Sequence, residues 1–195
     1  MSMGDRVVLK DLTNYEDVGI YTVAYQISTI ISLVAIGFTK ALAPKNFDDL
    51  KARNLSSIKR IKKSIYFLMA ALIFFSLLLV ILKAFIFRLF ISSNYSDAQI
   101  YMPIIVSGLT LQGFYMFQAN ILFYYNKNFQ LGILALGCAV LNILLNYLLI
   151  PSFGILGACY STLATYLILW CVSWILSWRQ LKIIELELFY EATEK

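Results

Sequence analysis

The sequence predicts an all-α integral membrane protein, with five transmembrane helices plus a short amphipathic outer helix. Three observations carry this. Of 195 residues, 61% are hydrophobic and 14% charged, with a mean hydropathy of +0.76, against about 45–50% apolar and about 25% charged in an ordinary soluble domain. The apolar residues fall in five long blocks, each near the roughly 20 residues that a helix needs to cross a hydrocarbon core about 30 Å thick. The Lys and Arg residues between the blocks alternate, a rich loop followed by a poor one.

Residues 1–17 are too polar to span and read as the outer end of a preceding helix and an outer loop. An acidic stretch (Asp11, Glu16, Asp17) leads into the first apolar run. A cleavable signal peptide would place a basic region and a short apolar core there. The spans follow at residues 18–42, 64–82, 101–125, 129–150 and 155–178. The second continues as an amphipathic piece, in which Lys83 and Arg88 can snorkel while Phe and Ile dip into lipid. Residues 179–195 are read as a cytoplasmic tail.

Loop charge sets the orientation. Residues 43–63 carry Lys45, Lys51, Arg53, Lys59, Arg60, Lys62 and Lys63, and with Lys40 they hold half of the sixteen basic residues. Residues 92–100 and 151–154 hold none, whereas Lys127, Arg179, Lys182 and Lys195 lie in the other connection and the tail. Basic loops belong inside, so the N-terminus is expected outside, the C-terminus in the cytoplasm, and the protein in the inner (plasma) membrane. An odd number of spans with an outside N-terminus leads to the expectation that a further segment lies upstream.

Composition excludes several function classes. With no His and three cysteines (Cys138, Cys159, Cys171) inside apolar runs, no metal site, haem site or disulfide set is expected, and no cofactor. The net charge of +5 is concentrated in one membrane loop, so it does not point to nucleic acid. A membrane polymerase or ligase would need acid–base residues and a sizeable outer loop; the outer loops here are short, and no catalytic residue is expected. Between Asp49 and Glu185 the only carboxylate is Asp97, in an outer loop. No span contains Asp or Glu, so the chain by itself is not expected to be an ion-coupled pump.

Polar residues inside the spans form stripes. Tyr21, Tyr25, Ser28, Ser32, Ala35 and Thr39 fall within an arc of roughly 80° at helical pitch. Gly132, Ala135, Ala139, Asn142 and Asn146 do the same on the fourth span. Two readings stand: the stripes pack against neighbouring helices, or they line a water-filled cavity suited to sugar-like or amphipathic cargo. On the fifth span, Gly154, Gly157, Ala158, Ser161, Thr162 and Thr165 make a small-residue packing face, and Tyr166, Trp170, Trp174 and Trp178 make a stripe expected to face lipid. Residues 142–158 join the last two spans through a turn of four residues, Pro151 to Gly154. That turn is too short for a soluble domain, and Asn142 and Asn146 need a partner or a wet cavity.

Several segments together resemble the second half of Wzx-like polysaccharide flippases of the multidrug/oligosaccharidyl-lipid/polysaccharide superfamily. They are Asp5-Arg6-Val-Val-Leu, Glu16-Asp17-Val18-Gly19-Ile20-Tyr21-Thr22-Val23-Ala24-Tyr25, Ala41-Leu-Ala-Pro44-Lys45, Tyr95-Ser-Asp-Ala98, and the stretch from Asn142 through Ala158 to Tyr166. The likeness runs from about Asp5 to Trp178, and it rests on the order and spacing of motifs that are individually weak. It implies one lobe of a two-lobed MATE-like transporter: the end of helix seven plus helices eight to twelve.

The resemblance also implies a function. This would be the C-terminal lobe of a flippase moving lipid-diphosphate-linked oligosaccharide by alternating access, for O-antigen (lipopolysaccharide), capsule or exopolysaccharide biosynthesis. The implied partners are that lipid-linked oligosaccharide, membrane lipids and a missing N-terminal lobe. The substrate-cavity candidates are Arg6, Tyr21, Tyr25, Ser28, Ser32, Thr39, Asn142 and Asn146, with Lys40 and Lys45 as basic residues at the inner mouth. Arg6 has an equal alternative, an ion pair with Asp5. Two other functions stay open: part of a multidrug extruder of the same superfamily, or a non-transporting accessory or truncated membrane protein.

Overall fold

The computed structural model describes residues 2–193, with side chains from 4 to 190. Seven helices form a bundle: α1 (Ser2–Leu12), α2 (Tyr15–Ala52), α3 (Leu55–Ile81), α4 (Lys83–Phe90), α5 (Ala98–Tyr124), α6 (Asn128–Phe153) and α7 (Ile155–Thr193). Among the described residues there is no strand. Helices α2, α3, α5, α6 and α7 are each long and apolar enough to cross a membrane. Each contains one of the expected spans, apart from Leu82 and Tyr125 at span ends.

Local chemistry sets the helix boundaries. Asn14 and Asn54 cap α2 and α3, each side chain accepting at 2.8 Å from the backbone N–H three residues on. Between α2 and α3 the chain reverses at Arg53, which adopts a left-handed conformation (φ 43°). The basic segment 43–63 is therefore mostly helical, an extension of both spans. Arg60 folds back on Asp49 (Nε to Oδ1 2.8 Å) and holds the two extensions together.

The hairpin between α6 and α7 is tighter than the four residues expected. Helix α6 continues through Pro151 to Phe153, and Gly154 alone makes the turn (φ 56°, ψ −132°). A left-handed φ is nearly free for glycine and strained for other residues. Three residues later, a Cβ on Gly157 would lie 2.5 Å from the Leu149 backbone. Only glycine lets α7 cross α6 this closely.

Helix α5 is the axis of the bundle and packs along its length against α2 and α7. Helix α3 closes one side against α2 and α5, and α6 closes the other against α7. Helix α1 lies in the gap between α2 and α6, beside the first turns of α2, and also touches α7. The core has two main parts. One, around α1 and the start of α2, gathers Leu9, Tyr21, Ile31, Met102, Ile105 and Leu109. The other, toward the α2–α3 turn, gathers Ile61, Leu68, Leu72, Phe114, Phe117 and Leu181. The short α4 buries Phe87 and exposes Phe85, Leu89 and Phe90.

Two expectations, on the Trp stripe and on Cys171, need correction. The Trp stripe does not simply face lipid: Tyr166 is buried, and Trp170 and Trp174 are half-buried against Phe114 and Tyr66 at centroid distances of 5.7 and 6.4 Å. Helix α7 turns this stripe toward the wedge between α3 and α5, which large rings fill. Residues 179–193, expected as the tail, are a helical continuation of α7. Leu181 and Ile184 continue its buried face, while Lys62–Glu185 (2.8 Å) and Arg53–Glu187 (2.5 Å) tie it to the α2–α3 turn. Cys171, read as a buried hydrophobe, is exposed, unlike Cys138 and Cys159.

Candidate functional site

The most unusual chemistry in the bundle is a buried carboxylate from the segment that sequence reading set aside as too polar. Asp5 shares a face of α1 with Val8 and Leu9, and all three are buried. That face points between α2, α6 and α7. Tyr21 Oη (α2) and Thr162 Oγ1 (α7) each donate to Asp5 Oδ2 at 3.0 Å, and Asn146 Nδ2 (α6) donates to Oδ1 at 2.7 Å. Ser161 extends the shell by donating to Asn146 Oδ1. Its oxygen also lies 2.9 Å from the Ala158 carbonyl. One turn along α6, Asn142 is also buried, with its side-chain nitrogen unpartnered.

The five spans hold no carboxylate, as their sequence requires; the buried one reaches the bundle from α1, outside them. The partner that Asn146 requires is Asp5. The signal was present in the sequence: an acidic residue in register with two large apolar ones on a short helix. Thr162 and Ser161, on the small-residue face of the fifth span, complete the shell. The close approach at Gly157 brings them within reach of Asn146.

An isolated carboxylate taken out of water loses several kcal/mol of hydration. Three neutral donors offset part of this, and among the described residues no cation pairs with Asp5. Such a group can take a proton, or share its oxygens with a small hard cation, using Asn, Ser and Thr oxygens beside it. The set does not suit zinc or another soft metal. Among the described residues no cluster of three His, Cys, Asp or Glu side chains exists.

Arg6 points elsewhere. Its guanidinium lies 5.8 Å from the centre of the Tyr25 ring, and its Nε is buried without a hydrogen-bond partner. It forms no ion pair with Asp5, because Asp5 turns inward on α1 while Arg6 turns toward α2. The rest of the first-span stripe divides along its length. Tyr21 belongs to the Asp5 shell, and Tyr25 lies next to it at 5.9 Å between ring centres. Ser28 is buried and donates back to the Ala24 carbonyl at 2.7 Å. Ser32 reaches Gln112 of α5 at 3.4 Å.

Thr39 and Lys40 line a second feature, a groove of about 370 Å³ between α2 and α5. Tyr115, Met116, Asn120 and Phe123 form its other wall. Lys40 is exposed and is the charged residue in this lining; Thr39 Oγ1 is buried without a partner. Lys45 is exposed further along α2 and does not line the groove. The structure therefore brings Asp5, Tyr21 and Asn146 into one site, sets Arg6, Tyr25 and Asn142 at its margin, and places Thr39 and Lys40 at another. Ser28 lies between them, bonded to its own helix.

No curated protein and no solved structure matches this chain. The model of the MatE family matches residues 1–148, from the start of the chain to the last turn and a half of α6. That match covers α1, the Asp5 and Asn146 positions and the α2–α5 groove. With five helices long and apolar enough to span a membrane, the chain belongs to the MatE family, multi-pass membrane transporters of the multidrug/oligosaccharidyl-lipid/polysaccharide superfamily.

Proposed function

We propose that this chain is the C-terminal lobe of a flippase that moves lipid-diphosphate-linked oligosaccharide across the inner membrane, for O-antigen, capsule or exopolysaccharide biosynthesis. The observation that carries this reading is the distribution of charge. The accessible groove between α2 and α5 presents Lys40, hydroxyls, an amide and aromatic faces, whereas the carboxylate of Asp5 is withdrawn into the bundle. A cationic accessible face suits a diphosphate, and aromatic and amide groups suit sugar rings. A pump for cationic drugs would favour the reverse arrangement.

The Asp5 shell supplies the second half of the reading. It ties α1, α2, α6 and α7 together through three hydrogen bonds. Protonation of Asp5, or exchange of a hard cation there, changes the packing of four helices at once. An intramembrane ionisable group in that position is the usual mark of coupling. Alternating access needs two lobes moving against each other, so the reading includes a partner lobe, with Lys40 and Arg6 facing cargo between the two.

The multidrug reading retains one specific support, namely Asp5 itself. Binding to the chain in lipid nanodiscs separates the two. A polyprenyl-diphosphate oligosaccharide is expected to bind, with affinity weakened by Lys40→Glu, while ethidium binds weakly or not at all. If ethidium binds better than the diphosphate lipid and Lys40→Glu strengthens it, the flippase reading fails. Expressed alone in a flippase-deficient strain, the chain is expected not to restore surface polysaccharide. Restoration would show that one lobe suffices.

A further inference from the structure

On the side of α5 opposite the Lys40 groove, α3 and α7 run side by side with little contact between them. Two stripes face each other across this crevice. Helix α3 contributes Lys59, Lys62, Tyr66 and Met69, at spacings of 3, 4 and 3 residues. Helix α7 contributes Trp170, Trp174, Trp178 and Lys182, each 4 residues from the last. The deeper part is a slot of about 370 Å³ walled by Tyr66, Met69, Trp170 and Trp174. The end toward the basic α2–α3 turn opens into a mouth of about 460 Å³ that includes Lys59, Lys182 and Glu185. The two parts are linked by contacts: Trp174 stacks on Trp178 at 5.3 Å, and Lys62 Nζ lies 5.2 Å from the Trp178 ring centre.

The charges of the mouth do not balance internally. Glu185 is taken by Lys62, and Glu187, on the same turn of α7, by Arg53. Lys59 and Lys182 have no ion-pair partner among the described residues. Two uncommitted ammonium groups therefore sit at the open end of an apolar, aromatic-walled slot. From Cys171 to Lys182 the helix rises about 16 Å, close to the roughly 15 Å depth of one leaflet of hydrocarbon. Exposed Phe67 and Ile175 flank the slot, so it opens toward lipid.

We propose that this crevice is a binding site for one anionic phospholipid. Its phosphate sits between Lys59 and Lys182, and an acyl chain lies along Tyr66, Trp170 and Trp174. A zwitterionic headgroup would gain less from two lysines, because its own ammonium opposes them. The bound lipid fills the gap that α3 and α7 leave, and it couples the inner end of α7 to the surrounding leaflet.

The chain has three tryptophans, and all of them lie in this crevice. Intrinsic fluorescence therefore reports on it without labels. The full chain is placed in nanodiscs of phosphatidylcholine containing a minor fraction of phosphatidylglycerol or phosphatidylcholine brominated at mid-chain. The brominated anionic lipid is expected to quench with roughly five- to thirtyfold higher apparent affinity, the preference expected of one or two free lysines at a membrane surface. Unbrominated phosphatidylglycerol should relieve that quenching saturably. Lys59→Gln combined with Lys182→Gln should remove the preference, whereas Lys51→Gln combined with Lys63→Gln, which changes two exposed lysines outside the crevice, should keep it. Equal quenching by the two lipids in the unaltered chain overturns the proposal. So does a preference that the Lys51/Lys63 pair abolishes as fully as the Lys59/Lys182 pair, since that is surface charge and not a site.

Discussion

Replacing Gly157 with alanine tests whether the α6–α7 crossing is what builds the Asp5 site. The added Cβ would lie 2.5 Å from both the carbonyl carbon and the oxygen of Leu149 and 2.7 Å from the nitrogen of Ile150. All three are backbone atoms, so no rotamer change relieves the clash. Restoring ordinary van der Waals contact requires the helices to separate by about 1 Å. Asn146 sits on α6 and Ser161 and Thr162 on α7, so the separation acts directly on the shell. The Thr162 to Asp5 bond, now 3.0 Å, would stretch toward about 4 Å, past hydrogen-bond range. Overpacking costs about 1–3 kcal/mol, and an interhelical hydrogen bond in a membrane contributes about 0.6–1.7 kcal/mol. The gain in helix propensity from glycine to alanine, up to about 1 kcal/mol, does not cancel these. The net expectation is a loss of about 1–3 kcal/mol, seen as a drop of several degrees in melting temperature in detergent, followed by tryptophan fluorescence. Gly137→Ala is the control, because a Cβ there meets nothing within 4 Å; its melting point should hold or rise. If Gly157→Ala melts at or above the unaltered chain, the close crossing does not carry the site.

Three further outcomes are expected. Asp5→Ala leaves the donors of Tyr21, Asn146 and Thr162 without an acceptor, and an unsatisfied buried donor costs about 1–3 kcal/mol; the variant should melt clearly below the unaltered chain, and an unchanged melting point would show that the carboxylate does not hold the four helices. Lys40→Cys, on the groove, should react with a water-soluble maleimide while Ser28→Cys, on the buried face of α2, should not; equal reactivity would mean that the hydroxyl stripe is wet along its whole length. Ser56→Cys, exposed on the basic α2–α3 connection, should resist an impermeant maleimide added outside intact cells, and labelling there would reverse the orientation drawn from loop charge.

The membrane helices were legible because burial in lipid requires long apolar runs, a property read directly from one-dimensional sequence. The helix that carries the site was not, and the reason is physical. Helix α1 is short, and Asp5, Arg6, Lys10 and Asp11 dilute its apolar residues, so a criterion based on mean hydropathy discards it. Asp5 is affordable in the bundle only because Tyr21, Asn146 and Thr162 come from three other helices, and no local pattern records that convergence. Asn146 recorded half of it, as an amide in an apolar run that needed a partner. The Trp stripe shows the same limit from the other side: its period of four residues fixed a common face, but the neighbour of that face depends on how α7 crosses α3 and α5. Helix α5, with neighbours on both sides, divides the lobe into two clefts of different character. One carries α1, the sequestered carboxylate and the Lys40 groove; the other carries tryptophans and two uncommitted lysines. Motion of α1 against α2 and α6 would reach the second cleft through α5 and α7, and through α3, which packs on α2. Of these, the long unbroken α7 carries residues of both clefts, Thr162 at the Asp5 shell and Lys182 at the lipid mouth, so a change in one would be felt in the other along a single helix.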